Sequence, residues 1–178
     1  MKSMTTLCGV LLAMGAAGVW AAESGGPSDA QIAAIVVTAN QVDIDAGKLA
    51  KAKGHSKEVR EFGQRMVTDH SGVNKSATEL VQKLKVTPEP NPTSHSLQQG
   101  GDQNLANLKK LEGAGFDKAY IDHEVAYHEA VLSALDKTLI PSAQNAELKA
   151  LLVKVRPAFV AHLDHAKEIQ ASLAKSGA

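Results

Sequence analysis

The stretch "VREFGQRMVTDHSGVNKSATELVQKL", from Val59 to Leu84, decides the fold class. Apolar or small residues recur along one side of it at heptad spacing: Val59, Gly63, Met66, Val73, Ala77, Leu80 and Leu84. This spacing is typical of a long helix that packs against other helices. We expect the helix to begin near Ser56 and to end by Pro88, where "TPEPNPTSHS" places three prolines close together.

Three further long helices and one short one are predicted from the same periodicity. The first begins at a capping box, Ser28-x-x-Gln31, and ends at Gly54. A short helix carries Leu105, Leu108 and Leu111 on one side. The remaining two long helices cover about 116–139 and 143–175, and the last contains Pro157, where we expect a kink. The sequence therefore predicts an all-α four-helix bundle over residues 28–175, with a short extra helix between the second and third long helices.

The connection from Val86 to Gly101 is predicted to be flexible. It is rich in proline, asparagine and glutamine and offers little apolar surface to bury. We expect a protease to cut there first, and His95 to be solvated rather than to act as a ligand.

The first residues have the pattern of a secretory signal peptide. Lys2 precedes a short apolar run, and Val19-Trp20-Ala21 offers a cleavage site after Ala21. Residues 22–27 would then form a polar leader of the mature chain. Cleavage would remove Cys8 and one basic residue but no acid, which leaves a formal charge of −1 and no cysteine. We therefore expect a periplasmic or secreted protein.

Composition excludes several classes of function. The mature chain has no basic patch for nucleic acid and no later apolar run that would cross a bilayer. Without cysteine it has no disulfide, no thiolate metal site and no haem attachment motif. No serine-centred motif indicates nucleophilic catalysis, and the sequence indicates neither a protein partner nor an oligomeric state.

Each long apolar seam is interrupted by a residue that can bind a metal. Helical spacing predicts that the interrupting side chains face inward, and they are Asp43, His70, Glu124, His128 and His162. By the same spacing His123 and Glu129 lean away, and His165 lies at the edge of its seam. Buried charges are costly unless they are paired, so several such residues on facing seams need one another or a ligand.

Two interpretations of these five residues stay open. They form one site for a transition-metal ion, because imidazole and carboxylate suit zinc, iron or copper. Alternatively they form a metal-free polar network that fixes helix register in a structural or partner-binding protein. Helix lengths predict His128 and His162 at levels about 13 Å apart along the domain axis, so the site would be elongated or split in two.

Four segments, which together span nearly all of the mature chain, resemble the exported bacterial family of domain of unknown function 4142, which is regarded as ferritin-like. They are "DIDAGKLA" (43–50), "VREFGQRMVTDH" (59–70), "FDKAY" (116–120) with His128 downstream, and "RPAFVAHLDHA" (156–166). The resemblance implies a ferritin-like four-helix domain outside the cytoplasm, and it implies no established activity or metal.

The chain departs from the family pattern and from ferritins at specific positions. Asp43 and Asp45 stand where the family usually has glutamate, and the shorter arm draws the carboxylate back from the axis. The paired Glu-x-x-His motifs of di-iron ferritins are absent: Phe159 stands at the glutamate position before His162, and Met66, one turn before His70, is no glutamate either. Ferroxidase chemistry is therefore not implied.

Overall fold

A computed structural model describes residues 25–176, and every regular element among these residues is helical. In chain order they are α1 (Asp29–Lys53), α2 (Lys57–Leu84), α3 (Pro92–Leu108), α4 (Gly113–Ala134), a π-helical turn (Leu135–Leu139), α5 (Ile140–Ser142) and α6 (Ala146–Ser176). The all-α prediction is confirmed. The predicted signal peptide and residues 22–24 of the leader lie outside the described residues. None of the described helices is both long enough and apolar enough to cross a membrane.

Carboxylates and hydroxyls fix the ends of the first two helices. The predicted capping box forms: Gln31 N donates to Ser28 Oγ at 3.2 Å, and Ser28 N donates to Gln31 Oε1 at 3.1 Å. The buried carboxylate of Asp117, on α4, accepts from the backbone nitrogens of His55 and Ser56, both at 2.7 Å. These bonds satisfy amides that the turn before α2 would otherwise leave unpaired, and they attach α4 to the α1–α2 turn.

Two glycines allow α1 and α2 to pack very closely. A Cβ on Gly47 would lie 2.8 Å from the carbonyl oxygen of Gly63, and a Cβ on Gly63 would lie 2.8 Å from the carbonyl oxygen of Gly47. Neither position has room for a side chain. Asp43 lies one turn before Gly47 and His70 lies two turns after Gly63, so this close contact also sets the separation of those two side chains.

The core consists of two apolar clusters with polar side chains between them. One cluster contains Ala46, Phe62, Met66, Ile121 and Ala166, and the other contains Val36, Ala77, Leu135 and Phe159. Five buried acids and histidines fall in sequence between residues of the two clusters, on α1, α2, α4 and α6: Asp43, His70, Glu124, His128 and His162. These five residues therefore form a polar layer that crosses the middle of the domain.

The connection after α2 differs from its prediction, because residues 92–101 belong to α3. Asn91 Oδ1 accepts from the backbone nitrogens of Thr93 and Ser94, both at 3.1 Å, and Pro92 occupies the first turn. A proline there is compatible with a helix because the first-turn amides have no intrahelical partner. Gly101 is buried, and a Cβ on it would lie 2.7 Å from Val42 Cγ2. The predicted flexibility of 86–101 stays a prediction.

The third long helix runs without a break from α4 through the π-helical turn into α5. In that turn the backbone amide of Ile140 donates to the carbonyl of Leu135, five residues earlier. The segment ends at Ser142 and α6 begins at Ala146, so both limits lie three residues beyond the predicted ones. Pro157 lies inside α6, which continues on both sides of it.

Candidate metal centre

The structure brings all five predicted site residues together in the interior. Asp43, His70, Glu124, His128 and His162 are each no more than 3% exposed. They form two overlapping groups, His70–His128–His162 and Asp43–Glu124–His128. Within each group, one potential ligand atom per residue lies within 4.8 Å of the others. The inward orientation predicted from the seams is confirmed, and His128 joins the two groups.

The predicted difference in level between His128 and His162 is not present. Their ring centroids are 5.4 Å apart. His128 lies 14 residues before Ser142, and His162 lies 16 residues after Ala146, so the two levels differ by only about 3 Å. The expected mismatch of about 13 Å arose because both helix limits were placed three residues too early.

Asn40 holds the ring of His70 in one orientation. Asn40 Nδ2 donates to the carbonyl oxygen of Val36 at 2.8 Å, which directs its Oδ1 towards His70 Nδ1 at 2.7 Å. An amide oxygen is only an acceptor, so His70 Nδ1 carries the hydrogen and donates it. In the neutral ring, His70 Nε2 therefore presents a lone pair to the interior.

The other two histidines are held in the same way. His128 Nδ1 lies 3.0 Å from the backbone carbonyl oxygen of Glu124, one turn earlier. His162 Nε2 lies 2.8 Å from the carboxylate oxygen Oδ2 of Asp69. Because both partners are acceptors, the bonded nitrogens are the donors, and His128 Nε2 and His162 Nδ1 carry the lone pairs.

Asp43 adds further acceptors to these three nitrogens. Its Oδ2 lies 3.0 Å from His70 Nε2 and 3.6 Å from His128 Nε2. Neither contact has the geometry of a hydrogen bond, and among the described residues both Asp43 oxygens and these two nitrogens lack a hydrogen-bonding partner. His162 Nδ1 and Glu124 Oε2 also lack one. The layer therefore brings several lone pairs close together, and the buried hydroxyl of Tyr120 beside Glu124 is a nearby donor.

Burial and charge set the protonation of the cluster. Burial alone would raise the pKa of Asp43, but its close contacts with the His70 and His128 rings outweigh burial and lower that pKa to about 2. Burial lowers the pKa of His162 to about 4, and it lowers the pKa of His128 as well. Burial and the nearby charge of Asp43 raise the pKa of Glu124 well above its usual range. At neutral pH the cluster thus combines an ionised Asp43 with neutral His128 and His162.

The remaining candidates lie outside both groups. The half-buried ring of His123 stacks on Tyr127, with centroids 5.6 Å apart, and His165 lies edge-on to Phe62 at 5.3 Å. Glu129 is exposed and pairs with Lys167 at 2.7 Å. His95 is exposed on α3. The sequence-based separation of these residues from the inward-facing set is confirmed.

Two residues that orient the histidines were not identified from the sequence. Asn40 lies three positions before Asp43 and so shares its face of α1, a signal that was available. Asp69 is adjacent to His70 in sequence but contacts His162 on another helix, and no spacing within α2 indicates that contact.

Comparisons with known proteins identify a family and nothing closer. A model of the family described as "Domain of unknown function (DUF4142)" matches residues 15–169. This covers most of the 178-residue chain. Neither the curated proteins nor the solved structures give a match.

Proposed function

The chain belongs to the family of domain of unknown function 4142, and we propose that its buried polar layer binds a transition-metal ion. One observation carries the proposal: each histidine donates one ring N–H to a fixed acceptor and keeps a lone pair on its second ring nitrogen. The second nitrogens of His70 and His128 lie 3.0 and 3.6 Å from Oδ2 of ionised Asp43. Metal-binding histidines characteristically donate their other N–H to a carboxylate, a carbonyl or water in this way.

The distances and the donor set agree with this proposal. Nitrogen and oxygen ligands at 2.0–2.2 Å from one ion lie about 3–3.5 Å from each other. The Asp43–His70 and Asp43–His128 separations of 3.0 and 3.6 Å are close to that range. Buried acceptors whose lone pairs face one another would destabilise the fold by several kcal/mol, and a cation would reduce that cost. The imidazole and carboxylate donors suit zinc, iron or copper.

We further propose that the helices form a ferritin-like bundle and that the protein acts in the periplasm or outside the cell, in metal handling or envelope stress protection. The family resemblance and the signal-like sequence of residues 1–21 support this role. The site differs from a di-iron ferroxidase centre, because Val67 and Phe159 stand three residues before His70 and His162, where the paired Glu-x-x-His motifs have glutamate.

Metal analysis of untagged protein purified from a periplasmic extract tests the metal proposal. We expect about one equivalent of metal per chain, and a melting temperature that falls on chelation and recovers when zinc, copper or iron is added. Protein that arrives without metal, and whose melting temperature responds to none of the three ions, would refute the proposal.

A metal-free polar network is the second candidate. It is favoured by the 3.0 Å contact between His70 Nε2 and Asp43 Oδ2, which becomes an ion pair if His70 takes up a second proton. His128→Leu separates the two candidates, with His165→Leu as the control at a histidine outside both groups. A metal-free network predicts a near-neutral or stabilising effect and no metal dependence. The metal site predicts that His128→Leu loses the metal-induced rise in melting temperature and that His165→Leu keeps it.

A further inference from the structure

A cavity of about 250 Å³ adjoins the polar layer. Its wall is almost entirely apolar and is formed by α1, the α4–π segment and α6, with His70 of α2 and with Thr93 and Leu97 of α3. The lining residues Thr93, Ala130 and Ala134 are exposed, whereas Leu135 and Leu152 are buried. The cavity therefore opens beside α3 and extends inward.

The polar part of the wall consists almost entirely of acceptors. Asn40, Asp43, His70 and His128 line the cavity and are buried. Within residues 25–176, both Asp43 oxygens and the Nε2 atoms of the two histidines lack a hydrogen-bonding partner, whereas the Asn40 amide has one on both sides. Of the two other polar side chains on the wall, Tyr127 already donates its hydroxyl to the Ala39 carbonyl at 2.9 Å. Thr93 is exposed at the mouth.

We propose that this cavity binds a small neutral molecule with an apolar body, such as a single aromatic ring, and one hydroxyl group that donates to Asp43. The acceptors on the wall favour a ligand whose polar group is a hydroxyl. Its O–H donates a hydrogen bond to a lone pair that a hydrocarbon would leave unpaired. A ligand with a carboxylate in place of the hydroxyl would be repelled by the negative charge of Asp43. The proposal concerns the metal-free protein and does not rest on the proposed metal.

The size of the cavity selects the body of the ligand. An apolar cavity of about 150 Å³ lined by aliphatic and aromatic side chains stays dry and binds benzene. A cavity of about 250 Å³ accommodates a substituted ring, and it is smaller than the pockets of about 300–1,000 Å³ that hold drug-sized ligands. The apolar body gains from leaving water in proportion to its buried area.

Titration of the metal-free protein with p-cresol, toluene and 4-methylbenzoate, followed by backbone amide NMR shifts, tests the proposal. These probes share one methylated ring and differ in the head. We expect p-cresol to bind about tenfold or more tightly than toluene, because a hydrogen bond to a buried charged group favours it by that factor. We expect no binding of 4-methylbenzoate. Equal affinity for toluene and p-cresol, or no binding of p-cresol, would overturn the proposal.

A filling variant locates the binding. Ala39→Phe places a ring in the cavity, and Ala126→Phe is the matched control, on an exposed position of α4 that does not line it. We expect Ala39→Phe to lose p-cresol binding and Ala126→Phe to keep it. If Ala39→Phe fails to fold, Ala39→Leu serves, with an expected loss of at least severalfold in affinity. Unchanged p-cresol binding in the folded filling variant would place the ligand elsewhere and overturn the proposal.

Discussion

The side chain of Asn40, on α1, is hydrogen-bonded to His70, on α2. Its Nδ2 donates to the Val36 carbonyl of its own helix, and its Oδ1 accepts from His70 Nδ1 at 2.7 Å. This arrangement fixes the tautomer of the neutral His70 ring, with the hydrogen on Nδ1. The lone pair of Nε2 is thereby directed at Asp43, 3.0 Å away. Asn40 does not contact His70 Nε2, yet it determines that this nitrogen, rather than Nδ1, is free to bind a metal.

Asn40→Ala tests this hydrogen bond. Without the acceptor, His70 Nδ1 keeps a buried N–H unpaired or the ring changes tautomer, and metal affinity should fall about 10–100-fold. Competition with a chelator of known affinity measures the change. Gln41→Ala is the control, because the Gln41 side chain bonds Asp45 rather than the cluster. Equal affinities of the two variants would show that Asn40 does not position the ligand.

The contribution of two buried histidines to the stability of the metal-free protein should fall as pH is lowered from about 6.5 to about 4. Burial lowers the pKa of His162 to about 4 and lowers that of His128, whereas in the unfolded chain histidine titrates near 6.5. At these groups the unfolded state binds more protons, so their contribution to the free energy of unfolding decreases with decreasing pH. Glu124 acts in the opposite direction, because folding raises its pKa. His162 alone accounts for a loss of about 2 kcal/mol between pH 7.5 and pH 5.

Urea denaturation of the wild type and of His162→Gln at pH 7.5 and pH 5 measures this loss as the difference between their pH dependences. His95→Gln, at an exposed position on α3, should show the pH dependence of the wild type. Equal pH dependences of the wild type and His162→Gln would mean that folding does not lower the pKa of His162.

Gly63→Ala and Gly72→Ala form a matched pair on α2. A Cβ on Gly63 would lie 2.8 Å from both the Gly47 carbonyl oxygen and Ala50 Cβ, so α1 and α2 must move apart, at a cost of about 1–3 kcal/mol. The exposed Gly72 has nothing within 4 Å of such a Cβ, and alanine there should stabilise by about 0.4–1 kcal/mol. Chemical denaturation gives both values.

The same pair tests how the helices position the site. A wider α1–α2 separation lengthens the contact between Asp43 and His70, so Gly63→Ala should also weaken metal binding, and Gly72→Ala should not. Metal affinity that is unaffected by Gly63→Ala would show that the layer tolerates movement of α1.

Limited proteolysis tests the connection after α2. Because residues 92–101 are helical and Gly101 packs against Val42, we expect the first cut within 85–91 and not across the whole of the proline-rich stretch. Gly101→Val, which would push α3 away from Val42, should move cuts into 92–101, and Gly100→Val should not, since nothing lies within 4 Å of a Cβ there. Early cutting of the wild type within 92–101 would support the flexible connection expected from composition.

The sequence predicted the helices and the inward-facing residues because both depend on periodicity within one helix. Asp43 and His162 interrupt apolar seams, and a seam fixes the direction of each side chain whatever its neighbours are. The start of α3 was missed because Asn91-Pro92 begins a helix in this chain, while three nearby prolines indicated an interruption.

Contacts between side chains on different helices, and their relative levels along the domain, could not be predicted from periodicity. The Asp69–His162 contact joins residues 93 positions apart, and it depends on how α2 and α6 pack. The levels of His128 and His162 were predicted incorrectly because each was counted in residues from a predicted helix end. Helix ends are the least certain part of a sequence-based assignment, and the two errors added.

The π-helical turn at Leu135–Leu139 holds one residue more than an α-helical turn would. Removing one residue from it would restore an α-helical turn and leave the residues on both sides, among them Glu124 and His128, nearly on their present faces. Leu135 and Leu139 both line the cavity, so such a deletion would change the cavity wall at this turn. The gene can therefore alter the cavity here by a change of one codon without moving the buried acids and histidines.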